Sequence, residues 1–227
     1  KQRYMSGGTT HVPMTVRMIA GGGIGGFGAQ HSQSTEAMLL HNPGLKIVYP
    51  STPTEAKGLL LSCIFDEDPC IQFESMMLTY ALKEEVPVGD YRIPLGVAKV
   101  KREGTDVTLI TYGWQVMQCL KAAEELAKEG ISAEVLDLRT LLPLDYDRIL
   151  ASVEKTGRAL VVHAATEFCG LGSEIASTIN EALFRKLKAP ASRFGAFYAP
   201  IAYSKIIETA QIPHAGTIAA RVRELFK

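Results

Sequence analysis

Short apolar runs alternate along this chain with longer segments in which apolar residues recur at helical spacing. Runs of about four to eight apolar residues are typical of buried strands, and the segments between them are typical of crossover helices. This alternation favours parallel sheets, because each crossover helix returns the chain to the same edge of the sheet. The sequence therefore predicts the α/β class.

The predicted elements fall into two blocks. In the first block, strands are expected at 14–19, 45–49 and 70–74, and helices at 34–41 and 55–65. In the second block, strands at 107–111, 133–138, 159–163 and 192–197 alternate with helices at 115–128, 145–154, 173–187 and 217–225. Between the blocks the periodicity is lost, and Pro and Gly are scattered among charged residues. We predict a first domain over 1–82, a linker over 83–106 and a second domain over 107–227.

Composition narrows the range of partners. Lys plus Arg number 24 and Asp plus Glu also number 24, a balance that gives no sign of a nucleic acid or membrane partner. Apolar stretches are too short to span a membrane, and the opening residues lack the apolar segment of a signal peptide. We expect a cytoplasmic protein, or one of the mitochondrial matrix in a eukaryote. The cysteines lack CxxC spacing and are expected to be reduced thiols: Cys63, Cys70, Cys119 and Cys169.

The glycine segment at 21–26, GGGIGG, follows the first predicted strand and fits the GxGxxG pattern of dinucleotide sites. Such a site also requires an acidic residue at the end of the next strand, whereas this strand ends in Tyr49 and Pro50. The next helix also begins well after the glycines. The pattern therefore favours a loop whose glycines allow positive φ and close backbone approach over a nicotinamide site.

Two histidines and one acidic turn are candidates for chemistry. His31 lies just beyond the glycine segment among polar neighbours, where an imidazole can donate or accept a hydrogen bond near neutral pH, or where it is simply a surface or capping residue. His163 ends a predicted strand, the edge at which α/β sheets bind ligands, although a core histidine is the simpler interpretation. Asp66, Glu67 and Asp68 offer oxygen ligands for a hard cation, or form a solvated turn.

Several blocks of sequence, in this order and spacing, carry a family resemblance. They are RYMSGG at 3–8, AQHSQSTEAMLLHNPGLKIVYPSTPTEAKGLLLSCIFDEDPCIQFE at 29–74, YGWQV at 112–116, AEVLDLRTLLPLDYDRILASVEKTGRALVVH at 133–163 and LKAPASRF at 187–194. Over essentially the whole chain they resemble the beta subunit of the thiamine-diphosphate-dependent decarboxylating component of 2-oxo-acid dehydrogenase complexes. They match it better than they match the related transketolases, and the segment around 56–71 is similar to its branched-chain version.

The resemblance implies a partial thiamine-diphosphate pyrimidine-binding domain followed by a transketolase C-terminal-like α/β domain. It implies an alpha subunit that holds the diphosphate through magnesium, an α2β2 heterotetramer with its active site between unlike subunits, a 2-oxo acid as substrate and a lipoyl acyltransferase core as acyl acceptor. By the same resemblance, His31 is the active-site histidine. Thr15, Cys63, Asp66 and Asp68 match a structural monovalent cation site, commonly occupied by potassium. His163 matches a strand-end histidine that an acid usually follows, whereas Ala164 stands here.

The resemblance also defines what we expect to be missing. Family members carry further strands before RYMSGG, including the glutamate that protonates the cofactor's ring nitrogen, and no residue here takes its place. We expect that an N-terminal segment is absent and that the chain alone is inactive. Two alternatives stay open: a catalytically incomplete assembly and docking module, and an acetoin-cleaving relative with the same fold and cofactor.

Overall fold

The computed structural model describes residues 1–22 and 26–227. In chain order its elements are α1 (Gln2–Met5), β1 (Thr15–Ala20), α2 (Gly28–His31), α3 (Glu36–Leu40), β2 (Lys46–Val48), α4 (Pro53–Ile64), β3 (Cys70–Ser75), α5 (Met76–Ala81), β4 (Lys99–Arg102), β5 (Val107–Thr111), α6 (Gln115–Ala127), β6 (Ala133–Asp137), β7 (Thr140–Leu142), α7 (Tyr146–Thr156), β8 (Ala159–Thr166), α8 (Leu171–Leu183), β9 (Ser192–Ala196), α9 (Lys205–Gln211) and α10 (Ala215–Glu224).

The first sheet contains β1, β3 and β2, which lie side by side in that order and run parallel, as predicted. Their register aligns Thr15 and Lys46 with Cys70 of the central strand. α4 begins where the Thr52 side chain accepts a hydrogen bond from the Glu55 amide, and its buried face packs against the sheet. The carboxyl ends of the parallel strands therefore meet at one edge, where the glycine segment begins.

The second sheet has the order β4-β6-β5-β8-β9, and all its strands except β4 run parallel. Its central strands are apolar and buried on both sides, which explains why the sequence pattern predicts them well. Side chains of α6 and α10 cover one face, and side chains of α7 and α8 cover the other. This sheet thus has its own core between two layers of helices.

The boundary between the two units differs from the predicted one. β4 lies inside the predicted linker and pairs antiparallel with β6, while β7 lies inside the predicted second domain and pairs antiparallel with β2 of the first sheet. Both strands are short, and β4 reads Lys-Val-Lys-Arg, so neither gives an apolar run that a sequence pattern detects. One buried apolar cluster continues from Ile47 and Phe73 in the first unit to Ile110 and Leu136 in the second.

In the described chain, helices are either too short or too polar to cross a bilayer.

Candidate active site

His31 ends α2, a single turn that follows the glycine segment. Its side chain is exposed, whereas the next residue, Ser32, is buried. The backbone on the two sides of the glycine segment is held close to the rest of the fold: the Gly21 amide donates to the Gln33 carbonyl at 3.2 Å, and the Gly26 amide donates to the Tyr203 carbonyl at 3.1 Å. His31 therefore projects from a short turn whose backbone is fixed on both sides.

The glycine segment fits a role in close packing. Gly21 and Gly26 have φ values of +83° and +84°, a region that side chains with a Cβ rarely adopt. A Cβ on Gly22 would collide with Oε1 of the buried Glu208 in α9. Residues 23–25, the middle of the predicted GxGxxG motif, lie outside the described residues. At the end of β2, where a dinucleotide site needs an acid, the ring of Tyr49 is buried and stacked on Phe73 at 5.5 Å.

The predicted cation residues come together, but their carboxylates already have cationic partners. The Lys46 ammonium lies 2.7 Å from Asp66 and 3.3 Å from Asp68, and the Arg3 guanidinium lies 3.1 Å from Asp68. Burial opposes ionisation of Lys46, but the hydrogen bonds and charges of Asp66 and Asp68 together outweigh it and raise the pKa of Lys46. These charges neutralise one another without a metal ion.

The two remaining residues of the predicted cation site, Cys63 and Thr15, carry no carboxylate. A hydrogen bond with Cys70 and burial raise the pKa of the Cys63 thiol, so it is not a thiolate ligand, but the Cys63 carbonyl accepts from the Asp66 amide at 3.2 Å. Thr15 lies beside Cys70 in the sheet register. Within residues 1–22 and 26–227 no three His, Cys, Asp or Glu side chains form a metal site. The monovalent cation, held through backbone and side-chain oxygens, stays a prediction.

His163 lies in the interior and not at an open site. Its Nδ1 is 3.0 Å from the Ala165 carbonyl, an acceptor, so Nδ1 carries the proton. Burial lowers the pKa of His163 to about 4, and its Nε2 has no hydrogen-bond partner in the described part of the chain. A Cβ added to Gly170, Gly172 or Gly195 would lie 2.6 Å from an atom of the His163 ring. The simpler interpretation, a core histidine, agrees with this geometry.

The comparisons with known proteins agree with this architecture. Residues 1–80 match the transketolase pyrimidine-binding domain, and residues 96–218 match the transketolase C-terminal domain. Pyruvate dehydrogenase E1 component subunit beta of Bacillus subtilis is 50% identical over 196 residues, which cover 86% of this chain and 60% of that protein. The chain belongs to the transketolase family. Its predicted fold and family resemblance are thereby confirmed.

Two further relatives show how far the likeness extends. The acetoin:2,6-dichlorophenolindophenol oxidoreductase subunit beta of Cupriavidus necator is 45% identical over 227 residues, all of this chain and 67% of that protein. The pyruvate dehydrogenase E1 component subunit beta of Staphylococcus epidermidis is 47% identical over 196 residues, 86% of this chain and 60% of that protein. The chain thus spans about 60% of the length of these pyruvate dehydrogenase relatives. The likeness to a branched-chain version stays a prediction.

Solved structures agree on the fold. A split-gene transketolase, described as an inactive beta4 tetramer, superposes with a TM-score of 0.75 at 22% identity and covers 95% of this chain and 67% of that one. A transketolase of Pichia stipitis superposes with a TM-score of 0.67 at 17% identity, covering 98% of this chain and 32% of that one. At these identities the likeness supports the shared fold alone.

Between the two units lies a buried ionic cluster that sequence reasoning missed. Ser51 Oγ is within hydrogen-bond distance of two carboxyl groups, 2.9 Å from Glu55 Oε2 and 2.5 Å from Asp137 Oδ2, and the Lys101 ammonium lies 2.7 Å from Glu55. Burial and the neighbouring Glu55 raise the pKa of Asp137 to about 7. Burial opposes ionisation of Glu55, but Lys101, Ser51 and Arg139 together outweigh it and lower the pKa of Glu55. Lys101 and Asp137 are far in sequence from Ser51 and Glu55, so no local pattern indicates the cluster.

Proposed function

We propose that this chain is part of the beta subunit of a thiamine-diphosphate-dependent 2-oxo-acid dehydrogenase, which decarboxylates a 2-oxo acid and passes the acyl group to lipoyl groups. The observation that carries the proposal is the exposed His31 ring at the carboxyl edge of the first sheet, beside a glycine segment packed against the C-terminal unit. Ligands of α/β sheets bind at this edge. The proposal assigns His31 as the catalytic residue of this chain.

The donor set of the described residues fits one wall of a thiamine site. Thiamine diphosphate, when bound, supplies the nucleophilic carbon and the electron sink for decarboxylation. Glycines with positive φ permit close backbone approach, and the His31 imidazole is accessible. Glu36 accepts a hydrogen bond from Tyr112, and Glu208 lies against Gly22. The proposal assigns neither of them as the carboxylate that contacts the cofactor's ring nitrogen, which the family resemblance places before RYMSGG.

His31 can act on the substrate side of such a site. A neutral imidazole both donates and accepts a hydrogen bond, so its ring nitrogens can hold a proton near the substrate carboxylate or the carbonyl oxygen of the acyl group. A general acid or base in this position is worth about 100- to 10,000-fold in rate. The proposal predicts that His31 acts in acyl transfer to the lipoyl group and not in subunit assembly.

The partners are part of the same proposal. An alpha subunit would hold the diphosphate through magnesium and complete an α2β2 heterotetramer, and a lipoyl acyltransferase core would accept the acyl group. The beta-subunit names of the relatives support a partner subunit. On this proposal the isolated chain does not bind thiamine diphosphate tightly. Tight binding by the isolated chain would contradict this part of the proposal.

The experiment compares His31→Ala with His41→Ala in the full-length beta subunit coexpressed with the alpha subunit, since His41 is also exposed but follows α3. We expect His31→Ala to reduce overall turnover at least about 100-fold while the complex still assembles, and His41→Ala to retain turnover. Unchanged turnover in His31→Ala would refute the catalytic role.

An acetoin-cleaving activity is the second candidate. The acetoin oxidoreductase subunit beta is similar to this chain over its whole length, whereas the similarity to the pyruvate dehydrogenase subunits covers 86% of it. The same assembled complex can be assayed with pyruvate, branched-chain 2-oxo acids and acetoin, using 2,6-dichlorophenolindophenol as electron acceptor. Turnover of acetoin alone would favour this candidate over the 2-oxo-acid dehydrogenase.

A further inference from the structure

Glu36 is an acid in an unexpected place. It lies in the first turn of α3, five residues after His31, and its side chain is completely buried. Glutamate is almost never fully buried in a protein unless it has a partner. A residue kept in the interior so close to the candidate catalytic histidine requires an explanation beyond helix formation.

The partner of Glu36 comes from the other unit of the fold. The Tyr112 hydroxyl donates to Glu36 Oε1 at 2.8 Å, across a sequence separation of 76 residues. Tyr112 directly follows β5, at the carboxyl edge of the second sheet. The other carboxyl oxygen, Oε2, is buried without a hydrogen-bond partner among the described residues. Tyr112 therefore provides the side-chain hydrogen bond that keeps this carboxyl in the interior.

The Tyr112 ring is itself held rigidly. It packs against Tyr49 with 5.5 Å between ring centroids and is stacked on His163 at 6.4 Å. The next residue, Gly113, has a φ of +57°, and a Cβ there would lie 2.7 Å from the Tyr49 ring. The Tyr112 hydroxyl is thus held in one position, and Glu36 accepts its hydrogen bond there.

The chain between Glu36 and His31 is too short to absorb much movement. Ser32 is buried, and the Gln33 carbonyl accepts from Gly21 at the end of β1. A displacement of Glu36 is therefore passed to the turn that presents His31. A misplacement of about 1 Å at a catalytic group is enough to cost about 100-fold in rate.

We propose that the Glu36–Tyr112 hydrogen bond positions His31, so that the C-terminal unit, and not only the pyrimidine-binding unit, sets the geometry of the catalytic imidazole. Glu36 and Tyr112 are positioning residues, since neither reaches the open edge where His31 projects. The inference rests on the proposed function, because it assumes that His31 acts in catalysis.

The test is a double-mutant cycle in the complex of the full-length beta subunit with the alpha subunit. Tyr112→Phe should lower kcat about 10- to 100-fold with the KM for the 2-oxo acid changed less than about twofold. Because Tyr112 acts through His31, Tyr112→Phe should cause no further loss in a His31→Ala background. A loss that multiplies with that of His31→Ala would overturn the proposal.

Two variants separate positioning from general damage. Tyr91→Phe is the matched control, because the Tyr91 hydroxyl also donates a 2.8 Å hydrogen bond, to the Thr54 carbonyl, away from His31. We expect it to retain kcat. Glu36→Gln keeps an acceptor for Tyr112 and should remain within about threefold of the unmodified complex, since only a lost hydrogen bond misplaces His31. A loss in Glu36→Gln as large as that in Tyr112→Phe would contradict positioning through this hydrogen bond.

Failure of the proposed function gives a different result. If His31→Ala retains turnover, the catalytic role of His31 fails. The positioning of His31 by Glu36 and Tyr112 is then tested in the isolated chain, by the rate at which diethyl pyrocarbonate modifies His31. Tyr112→Phe should change this rate at least about twofold relative to Tyr91→Phe, as expected for a displaced ring. Equal rates in the two variants would overturn the positioning pair.

Discussion

Acidification should destabilise this chain through His163, a residue outside the candidate active site. In the fold, burial lowers the pKa of His163 from its ordinary value of 6.5 to about 4. In the unfolded chain the imidazole regains its ordinary pKa. Between pH 6.5 and about 4, the unfolded state binds a proton that the folded state does not. The contribution of His163 to the free energy of unfolding is therefore complete above about pH 6.5 and is lost as the pH falls toward 4.

The size of the effect follows from the two pKa values. Each pH unit between them is worth about 1.4 kcal/mol, so the change from 6.5 to about 4 corresponds to about 3 kcal/mol lost by pH 4. This is a large fraction of the stability of a typical domain. Buried acids also titrate in this range, so the contribution of His163 must be measured as a difference between variants.

The assay is urea unfolding of the unmodified chain and of His163→Gln at a series of pH values from 7.5 to 4.5. Glutamine does not titrate, so the stability difference between the two proteins should shrink by about 2 to 3 kcal/mol across this range. His41→Gln, at an exposed site, controls for the loss of an imidazole. If His163→Gln does not fold, the His163 ring resonance can be followed by NMR. Parallel stability curves, or a ring that titrates near 6.5, would refute the assignment of a neutral buried histidine.

Two other predictions concern packing and charge. Lys101→Met should cost about 3 to 5 kcal/mol in urea unfolding, because it leaves the buried Glu55 carboxylate without its ammonium partner. A cost below about 1 kcal/mol would contradict the ionic cluster. Gly172→Ala should lower the free energy of unfolding by about 1 to 3 kcal/mol, because its Cβ would lie 2.6 Å from His163 Nε2. Gly216→Ala, also in a helix, is the control: its Cβ would have no contact closer than 3.7 Å, so it should be neutral or stabilising. Equal melting temperatures for the two alanine variants would show that the His163 ring does not fill the space beside Gly172.

The central strands could be predicted because burial on both faces makes them continuous apolar runs. Val107–Thr111 and the first half of Ala159–Thr166 are the nearest to such runs, and both lie where the pattern indicated. Edge elements are different. Lys99–Arg102 contains three cationic residues and a single Val. It forms a strand because it pairs with β6, a long-range interaction that no local pattern records.

In the candidate site, too, some residues could be predicted from the sequence and others could not. His31 stands out locally because it follows a glycine segment. The role of Glu36 depends on Tyr112, 76 residues away, and a glutamate in a first helical turn otherwise indicates only a favourable charge near the helix dipole. The acidic turn at 66–68 indicated a cation, but Lys46 and Arg3 reach it from other parts of the chain. Local chemistry can be read from sequence, whereas partners that the fold brings together cannot.

The most direct test of the central claim is the protection of histidines from diethyl pyrocarbonate, measured by mass spectrometry in the isolated chain, the complex with the alpha subunit, and that complex with thiamine diphosphate and magnesium. His11 and His41 are exposed and serve as internal references. We predict that His31 becomes less reactive when the alpha subunit binds, and less again when the cofactor is added, while the references keep their rates. Equal reactivity of His31 in all three states would contradict a cofactor site shared between the subunits at His31.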